Sequence, residues 1–275
     1  METQRATALL SDVTESYDRL TEDELRNLGI VLGAYRSFRG NRRGLLAYVS
    51  MPITSGKRYF DVLTEHGVTS AEELAAKAGK DALYELVIKP NIREGVAFAD
   101  QLGETRKDLL FIAPSVFEAK KWRWSQDAYM SLWYRVIGEL TGKHYLMDGW
   151  EYSTGGVKEV MFTVLMQNQA FLDAFRMKDF LPDVPEERLR EEYWAMREVR
   201  IYDAQGQDIN VIKAVEMIVA AVADLRKRGL PCQELIPPTI RMADSVISLD
   251  TGRLPISWYD RLFDAKEALL NSARS

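Results

Sequence analysis

Apolar positions in the first part of the chain recur at helical spacing. Leu9–Leu20 and Glu22–Tyr35 each place apolar residues three and four positions apart. Thr21, with Glu24 three residues later, has the capping-box pattern of a helix start. We therefore predict a helical N-terminal extension over residues 1–43.

Short apolar runs then alternate with helical patterns. The runs are bounded by turn-forming residues and are typical of buried strands. They are predicted at 44–50, 108–114, 143–147 and 199–202. Helical spacing occurs between them at 58–65, 71–78, 91–102, 125–140 and 156–169. Because alternating strands and helices indicate a parallel sheet covered on both faces, we expect an α/β fold with a Rossmann-like or flavodoxin-like sheet flanked by helices.

These patterns divide the chain into three regions. After the N-terminal extension, residues 44–205 form the predicted α/β domain, and the two helical patterns within 58–88 form an insertion in it. Residues 206–275 are predicted to be a mainly helical C-terminal region that packs on the domain or on an oligomer partner. Within it, Asn210–Arg228 has the pattern of one helix, and the chain after it is expected to be irregular until a further helix begins at Trp258.

Charge and composition narrow the class of ligand. The 275 residues include 36 Lys and Arg against 41 Asp and Glu, a net charge of −5. This argues against a protein dedicated to polymeric nucleic acid, because phosphate contacts need a basic surface. No apolar run approaches the ~18 residues of a membrane span. Met1 leads into polar residues and the single cysteine provides no disulfide framework, so we expect a cytoplasmic location and no membrane partner.

Histidine and cysteine are too scarce for the commonest catalytic pairs. The two histidines, His66 and His144, lie far apart in the sequence, and Cys232 has no neighbour at the spacing of a zinc site. We expect structural roles for both histidines, and neither a metal nor another cofactor. With so few imidazoles available as a base, the chemistry is expected to use carboxylates.

The loops after the predicted strands are the candidate binding segments, because ligands bind beyond the carboxyl ends of parallel strands. The loop Ser50–Lys57 is rich in hydroxyl groups and ends in glycine and lysine, which suits an anion, although it lacks the full Walker A pattern. The segment Asp148–Glu159 combines carboxylates, two aromatic rings, a serine and paired glycines directly before a helix. A purely structural reading is also open, in which Ser153 caps the helix and Glu159 favours its positive end.

Within this segment, Ser153-Thr-Gly-Gly-Val-Lys-Glu159 resembles the signature of the nucleoside 2-deoxyribosyltransferase superfamily, including its nucleotide N-glycosidase members. The signature has a serine or similar residue, a glycine two positions later and a glutamate six positions after the serine, here Ser153, Gly155 and Glu159. The resemblance covers about residues 44–170 and is limited to motifs and their order. It implies cleavage or exchange of the N-glycosidic bond of a nucleoside 5′-monophosphate or nucleoside, through a covalent glycosyl-glutamate intermediate.

The resemblance also implies roles for three carboxyl groups. Glu159 is the expected nucleophile. Asp148 is the first candidate for recognising or protonating the base, since retaining glycoside chemistry needs a second acid. Asp127 is the candidate, by its order in the chain, for activating the nucleophile or contacting the sugar. Asp127 also has a structural alternative, because Ser125 is placed to cap a helix that begins there.

The remaining candidate residues are expected to bind the substrate. Lys57 and Arg93 favour a monophosphate, since a nucleoside needs no cationic clamp. Either Trp150 and Tyr152 or Trp122 and Trp124 are placed to stack on the base. The full candidate binding set is Ser50, Ser55, Gly56, Lys57, Asn91, Arg93, Trp150, Tyr152, Ser153, Gly155 and Gly156.

Two alternative functions stay open at this stage. One is a nucleotide-binding or sensing module that has the pocket without the chemistry. The other is a glycohydrolase acting on NAD, which would use the same nucleophile in a larger pocket. In each case the expected ligand is a small nucleotide or nucleoside. We also expect a homo-oligomer, because enzymes of the resembling family commonly complete their pockets with a neighbouring subunit.

Overall fold

A four-stranded parallel sheet forms the centre of the protein. The computed structural model describes residues 18–39, 43–116, 124–167, 198–249 and 256–274. The strands are β1 (Leu46–Ser50), β2 (Leu110–Ile112), β3 (Lys143–Leu146) and β4 (Arg200–Tyr202). All adjacent pairs are parallel and their order is β2-β1-β3-β4. The predicted α/β fold with a parallel sheet is therefore confirmed, and its order is that of flavodoxin-like sheets.

Helices connect the strands and cover the sheet. In chain order they are α1 (Glu22–Arg39), α2 (Lys57–His66), α3 (Ala71–Ala78), α4 (Lys89–Thr105), α5 (Gln126–Arg135), α6 (Thr154–Met166), α7 (Val211–Lys227), α8 (Ile236–Leu249) and α9 (Ile256–Arg274). Two π-helical turns, Tyr84–Ile88 and Val136–Leu140, precede α4 and follow α5 respectively. Among the described helices, none is both long and apolar enough to cross a membrane.

The central strand β1 is buried along its whole length and contributes side chains to the cores on both faces of the sheet. Successive side chains of a strand point to opposite faces. Leu46 and Tyr48 belong to the main core, which includes residues of α5 and α6. Ala47 and Val49 belong to a smaller core with Leu102 of α4. Helix α4 therefore covers one face of the sheet, and α5 and α6 cover the other.

The C-terminal region is helical and packs on the sheet domain. Helix α7 contacts the loop after β3, α8 contacts α6, and α9 contacts both α7 and α8. The expectation of an irregular chain up to Trp258 is wrong, because α8 begins at Ile236. Pro237 and Pro238 both lie in the first turn of α8, where a missing N–H leaves no helical hydrogen bond unmade.

Candidate active site at the junction of β1 and β3

The sheet changes its direction of growth at β1. From β1 the chain first adds β2 on one side, and it then returns to add β3 on the other side. At such a switch point the connecting segments leave the sheet on opposite faces and open a crevice at the carboxyl ends of the strands. The loops after β1 and β3 meet there, since Met147 N donates a hydrogen bond to Ser50 O at 3.0 Å.

Glu159 lies in this crevice with both carboxylate oxygens hydrogen-bonded to β1. Tyr48 donates its hydroxyl to Oε1 at 2.7 Å, and Ser50 donates its hydroxyl to Oε2 at 2.5 Å. The side chain of Glu159 is buried, with 6% of the residue exposed. A glutamate on α6 is thus fixed by two hydroxyl groups of the central strand.

Local sequence explains why Glu159 reaches this place. Ser153 caps α6 by accepting a hydrogen bond from Gly156 N at 3.4 Å. A side chain at Gly156 would have its Cβ 2.9 Å from the Trp150 carbonyl oxygen, so the turn into α6 requires glycine. The capping part of the structural reading is therefore confirmed. Glu159 itself lies beyond the first turn of α6, which carries no acidic residue, and its carboxylate reaches β1 instead.

Burial makes Glu159 an unusually weak acid. Loss of water around the carboxylate raises its pKa from 4.5 to about 7, although the hydrogen bonds from Ser50 and Tyr48 act in the opposite direction. Burial and the neighbouring carboxylate likewise raise the pKa of Tyr48, so this hydroxyl stays protonated and remains a donor. A carboxyl group with a pKa near neutrality is typical of functional sites.

Glu159 lies on the wall of a cavity of about 800 Å³. This volume is within the range of small-molecule sites. The wall contains apolar and polar side chains from the loops after β1, β2 and β3, from α4, α5 and α6, and from the start of α8. Its members are Met51, Ile53, Thr54, Ser55, Ile88, Ile92, Pro114, Ser115, Gln126, Tyr129, Met130, Trp133, Ser153, Thr154, Gly155, Gly156, Lys158, Glu159, Glu234, Pro237 and Pro238.

The loop after β1 is held in place by Asn91. The Asn91 amide donates hydrogen bonds to the carbonyl oxygens of Ile53 and Ser55, at 3.0 and 3.2 Å. Ser55 Oγ in turn lies 3.1 Å from Ser153 Oγ, which links this loop to the start of α6. Gly56 ends the loop with φ +90°, a conformation that favours glycine. Asn91 and Gly56 thus shape the site, and neither lines the cavity.

The structure brings together some of the predicted residues. Ser55, Ser153, Gly155, Gly156 and Glu159 all line the cavity. Ser50 belongs to the same site through its hydrogen bond to the Glu159 carboxylate.

Other predicted polar residues lie elsewhere. Lys57 forms an ion pair with Asp61 on its own helix at 2.8 Å. Arg93 and Asp148 are exposed, and Asp127 lies 3.6 Å from Arg19. These four candidates, Lys57, Arg93, Asp148 and Asp127, do not line the cavity.

Three of the four aromatic residues predicted to stack on a base, Trp124, Trp150 and Tyr152, also lie outside the cavity wall. Trp150 is 1% exposed and packs in the main core. Tyr152 donates a hydrogen bond to Asp224 at 3.3 Å. Trp124 is buried with its ring centroid 5.5 Å from that of Tyr129. Trp122 lies outside the described residues.

Several residues of the site were not among the candidates predicted from the sequence. Tyr48 looked like one more apolar position of a buried strand, and Trp133 looked like core packing on α5. Ser115, Lys158 and Glu234 also line the cavity. Two of them could have been found by their position in the sequence, because Ser115 directly follows the predicted strand 108–114 and Lys158 directly precedes Glu159.

The histidines and the cysteine have other surroundings. His144 is buried on β3, where its Nδ1 lies 3.0 Å from Thr163 Oγ1, and burial lowers its pKa to about 3. His66 ends α2, and Cys232 is buried. Over the described ranges, no group of three or more His, Cys, Asp and Glu side chains is arranged to hold a metal ion.

Comparison with known proteins gave no match: no family model, no curated protein and no solved structure matches this chain. The function must therefore be argued from the geometry around Glu159 and from the signature-like segment that places it.

Proposed function

We propose that this protein cleaves or exchanges the N-glycosidic bond of a nucleoside 5′-monophosphate or nucleoside, with Glu159 as the nucleophile. One observation carries the proposal: a buried carboxylate on a cavity wall is fixed by Tyr48 and Ser50 at the junction of β1 and β3. A nucleophile of this kind must be held rigidly and shielded from bulk water, and these contacts do both.

In the first step, an oxygen of ionised Glu159 attacks C1′ of the sugar. The bond from C1′ to the base nitrogen breaks, its electron pair goes to the base, and the base takes a proton from water. The developing positive charge on the sugar is stabilised by the nearby carboxylate. Tyr48 and Ser50 hold the carboxylate in line, and the product of this step is a sugar ester of Glu159.

In the second step, water or another base attacks C1′ from the face that the first base left. The ester bond from C1′ to Glu159 breaks, its electron pair returns to the carboxylate, and the attacking water or base gives up a proton that neutralises the hydroxide left by the first step. With water the products are the free base and the sugar or sugar phosphate, and with a second base the product is a new nucleoside or nucleotide. Two displacements at one carbon retain its configuration.

The polar part of the cavity suits the sugar and its substituents. Thr154 donates its hydroxyl to Glu234 at 3.1 Å, and both residues line the cavity beside the first turn of α6. The carboxylate of Glu234 can accept a hydrogen bond from a sugar hydroxyl. Lys158 lies one helical turn after Thr154 and presents a positive charge to the cavity, which suits a 5′-phosphate.

The test is base release, measured by liquid chromatography, from nucleosides, nucleoside 5′-monophosphates and NAD. We expect Glu159→Gln to lower the rate a thousandfold or more, because it removes the nucleophile. Glu151→Gln is the matched control, since Glu151 is a partly buried carboxyl group in the loop that leads into α6 and does not line the cavity. It should keep its turnover.

Three outcomes would contradict the proposal. Full turnover by Glu159→Gln would exclude the nucleophile. Tight binding of a nucleotide with no base release from the whole panel would instead favour the binding or sensing module. Release of nicotinamide from NAD, and of no base from the mononucleotides, would identify the glycohydrolase alternative.

A further inference from the structure

Ser115 lies on the cavity wall, and the described part of the chain leaves its hydroxyl group without a partner. It is in the single turn that follows β2 and is 8% exposed, yet its Oγ has no hydrogen-bond partner among the described residues. Buried hydroxyl groups are normally hydrogen-bonded, because an unpaired one has lost water without compensation. On a cavity wall, such a group indicates that a ligand atom is its partner.

The wall around Ser115 is otherwise mainly apolar. It is formed by the segments before and within α4, by the residue preceding Ser115 and by one face of α5. These contribute Ile88, Ile92, Pro114, Tyr129, Met130 and Trp133. Gln126 adds an amide group from the same face of α5. Apolar and aromatic side chains with a few hydrogen-bonding groups suit a flat ring that has apolar faces and a polar edge.

The sheet places Ser115 to one side of Glu159. The Glu159 carboxylate is hydrogen-bonded to β1, and Ser115 follows β2, which pairs directly with β1. Neighbouring strands are ~5 Å apart, which is on the order of the width of a nucleobase. The polar residues at the start of α6 lie toward the other side, because β3 pairs with the opposite edge of β1.

We propose that Ser115 recognises the polar edge of the nucleobase, with the ring lying against the apolar wall and the sugar C1′ beside Glu159. The identity of the ligand rests on the proposed function. A hydroxyl group both donates and accepts hydrogen bonds, so Ser115 pairs with an amino or an oxo group on the base. It takes the place that the sequence suggested for Asp148, which is exposed and outside the cavity wall.

Binding of free nucleobases tests this proposal without requiring catalysis. Adenine, hypoxanthine, cytosine and thymine are titrated calorimetrically into the wild type, Ser115→Ala and Ser131→Ala. Ser131 is a matched control, because it is 4% exposed and its Oγ also has no partner in the described part of the chain, but it does not line the cavity. We expect Ser115→Ala to weaken the best-bound base about three- to tenfold and Ser131→Ala to leave it unchanged.

Two further measurements separate recognition from a structural role. Benzimidazole, a bicycle with no polar atom on its six-membered ring, should bind the wild type and Ser115→Ala equally. Thermal unfolding without ligand should give both alanine variants a melting temperature equal to or above that of the wild type, since each loses an unpaired buried hydroxyl group.

The proposal fails if no base binds at millimolar concentration, if Ser115→Ala binds every base as the wild type does, or if Ser115→Ala alone melts at a lower temperature. These results are distinct from failure of the proposed function. If bases bind through Ser115 but Glu159→Gln keeps full turnover, the base site stands and the nucleophile is rejected. If Glu159→Gln loses turnover but Ser115→Ala binds bases as the wild type does, the nucleophile stands and the base site is rejected.

Discussion

Glu159 reduces the stability of the folded protein at neutral pH, and this gives a test at the scale of one residue. Burial raises its pKa to about 7 from 4.5, so the folded state holds the proton more tightly than the unfolded chain does. The stabilisation from the protonated form is fully present below pH 4.5 and is lost as the pH rises through about 7. Ionised Glu159 therefore weakens the fold in the pH range where it can act as a nucleophile.

We accordingly expect Glu159→Gln, which cannot ionise, to become more stable relative to the wild type as the pH rises. One unit of pKa shift corresponds to ~1.4 kcal/mol, so the relative stability should grow by about 2 kcal/mol between pH 5 and pH 8. Urea unfolding at the two pH values measures it. A stability difference that is the same at both values would show that Glu159 has an ordinary pKa.

Tyr48 is expected to set the pH dependence of the proposed reaction. The nucleophile must be ionised, so kcat/KM should rise with pH through about 7, the pKa of Glu159. The Tyr48 hydroxyl favours the ionised form by donating to Oε1, and its removal in Tyr48→Phe should raise this pKa and move the rise to higher pH. The measurement is a pH profile of kcat/KM.

Tyr145→Phe is the control for that profile. Tyr145 is also buried in the sheet, on β3, but it belongs to the core on the α4 face, and its hydroxyl accepts a hydrogen bond from Arg106. This variant should keep the pH midpoint of the wild type. A shift of Tyr48→Phe to lower pH, or no shift, would mean that the hydrogen bond does not act on Glu159.

At the scale of elements, the loop after β1 depends on a single side chain of α4. Asn91 is 4% exposed, and its amide satisfies two loop carbonyl groups. Asn91→Ala leaves both carbonyls without this donor, so we expect a loss of about 2 kcal/mol in the free energy of unfolding and a higher KM. Arg93→Ala, an exposed position on the same helix, should change neither quantity. Equal stability of Asn91→Ala and the wild type would contradict this role.

Much of this architecture could be predicted from the sequence because its signals are local. The capping box of Thr21 with Glu24 forms as expected and begins α1. The strands, the parallel sheet and Glu159 at the junction of β1 and β3 follow from the apolar runs and the loop composition. The main error is the missed start of α8, a helix whose first turn holds two prolines.

Which side chains face the cavity depends on tertiary packing and not on the local sequence, so these residues were predicted poorly. Lys57 begins α2, Lys158 lies one turn into α6, and both helices follow polar loops. Lys57 is directed to Asp61, and Lys158 lines the cavity, a difference that depends on how α2 and α6 pack. The distant Glu234 reaches the site only because the C-terminal region folds back against α6.

At the scale of the whole molecule, the cavity is closed by parts of the chain that lie far apart in sequence. Glu234, Pro237 and Pro238 from the C-terminal region face the loops of the sheet domain. Leu262 and Leu269 of α9 are buried in the same main core as Leu46 of β1. The C-terminal helices are therefore part of the site and of the core, which explains why the α/β segment alone did not reveal the cavity wall.

The net charge of −5 gives a final prediction about the substrate. An acidic protein repels a dianionic 5′-phosphate at long range, so binding must depend on local donors. Lys158 is the basic side chain that lines the cavity within the described part of the chain, beside the N-terminal turn of α6. A charge-assisted hydrogen bond from Lys158 to the phosphate would be worth about ten- to a hundredfold in affinity.

We therefore expect Lys158→Met to lower kcat/KM for a nucleoside 5′-monophosphate at least tenfold while changing that for the matching nucleoside little. Lys57→Met removes the same charge from the first residue of α2, where the lysine is paired with Asp61. The ratio of kcat/KM for the monophosphate to kcat/KM for the nucleoside should therefore stay at the wild-type value. Because the contact is electrostatic, the preference of the wild type for the monophosphate should also weaken as the salt concentration is raised. In Lys158→Met, this preference should depend little on salt. An unchanged ratio in Lys158→Met, or a ratio that falls only in Lys57→Met, would show that the phosphate does not contact Lys158.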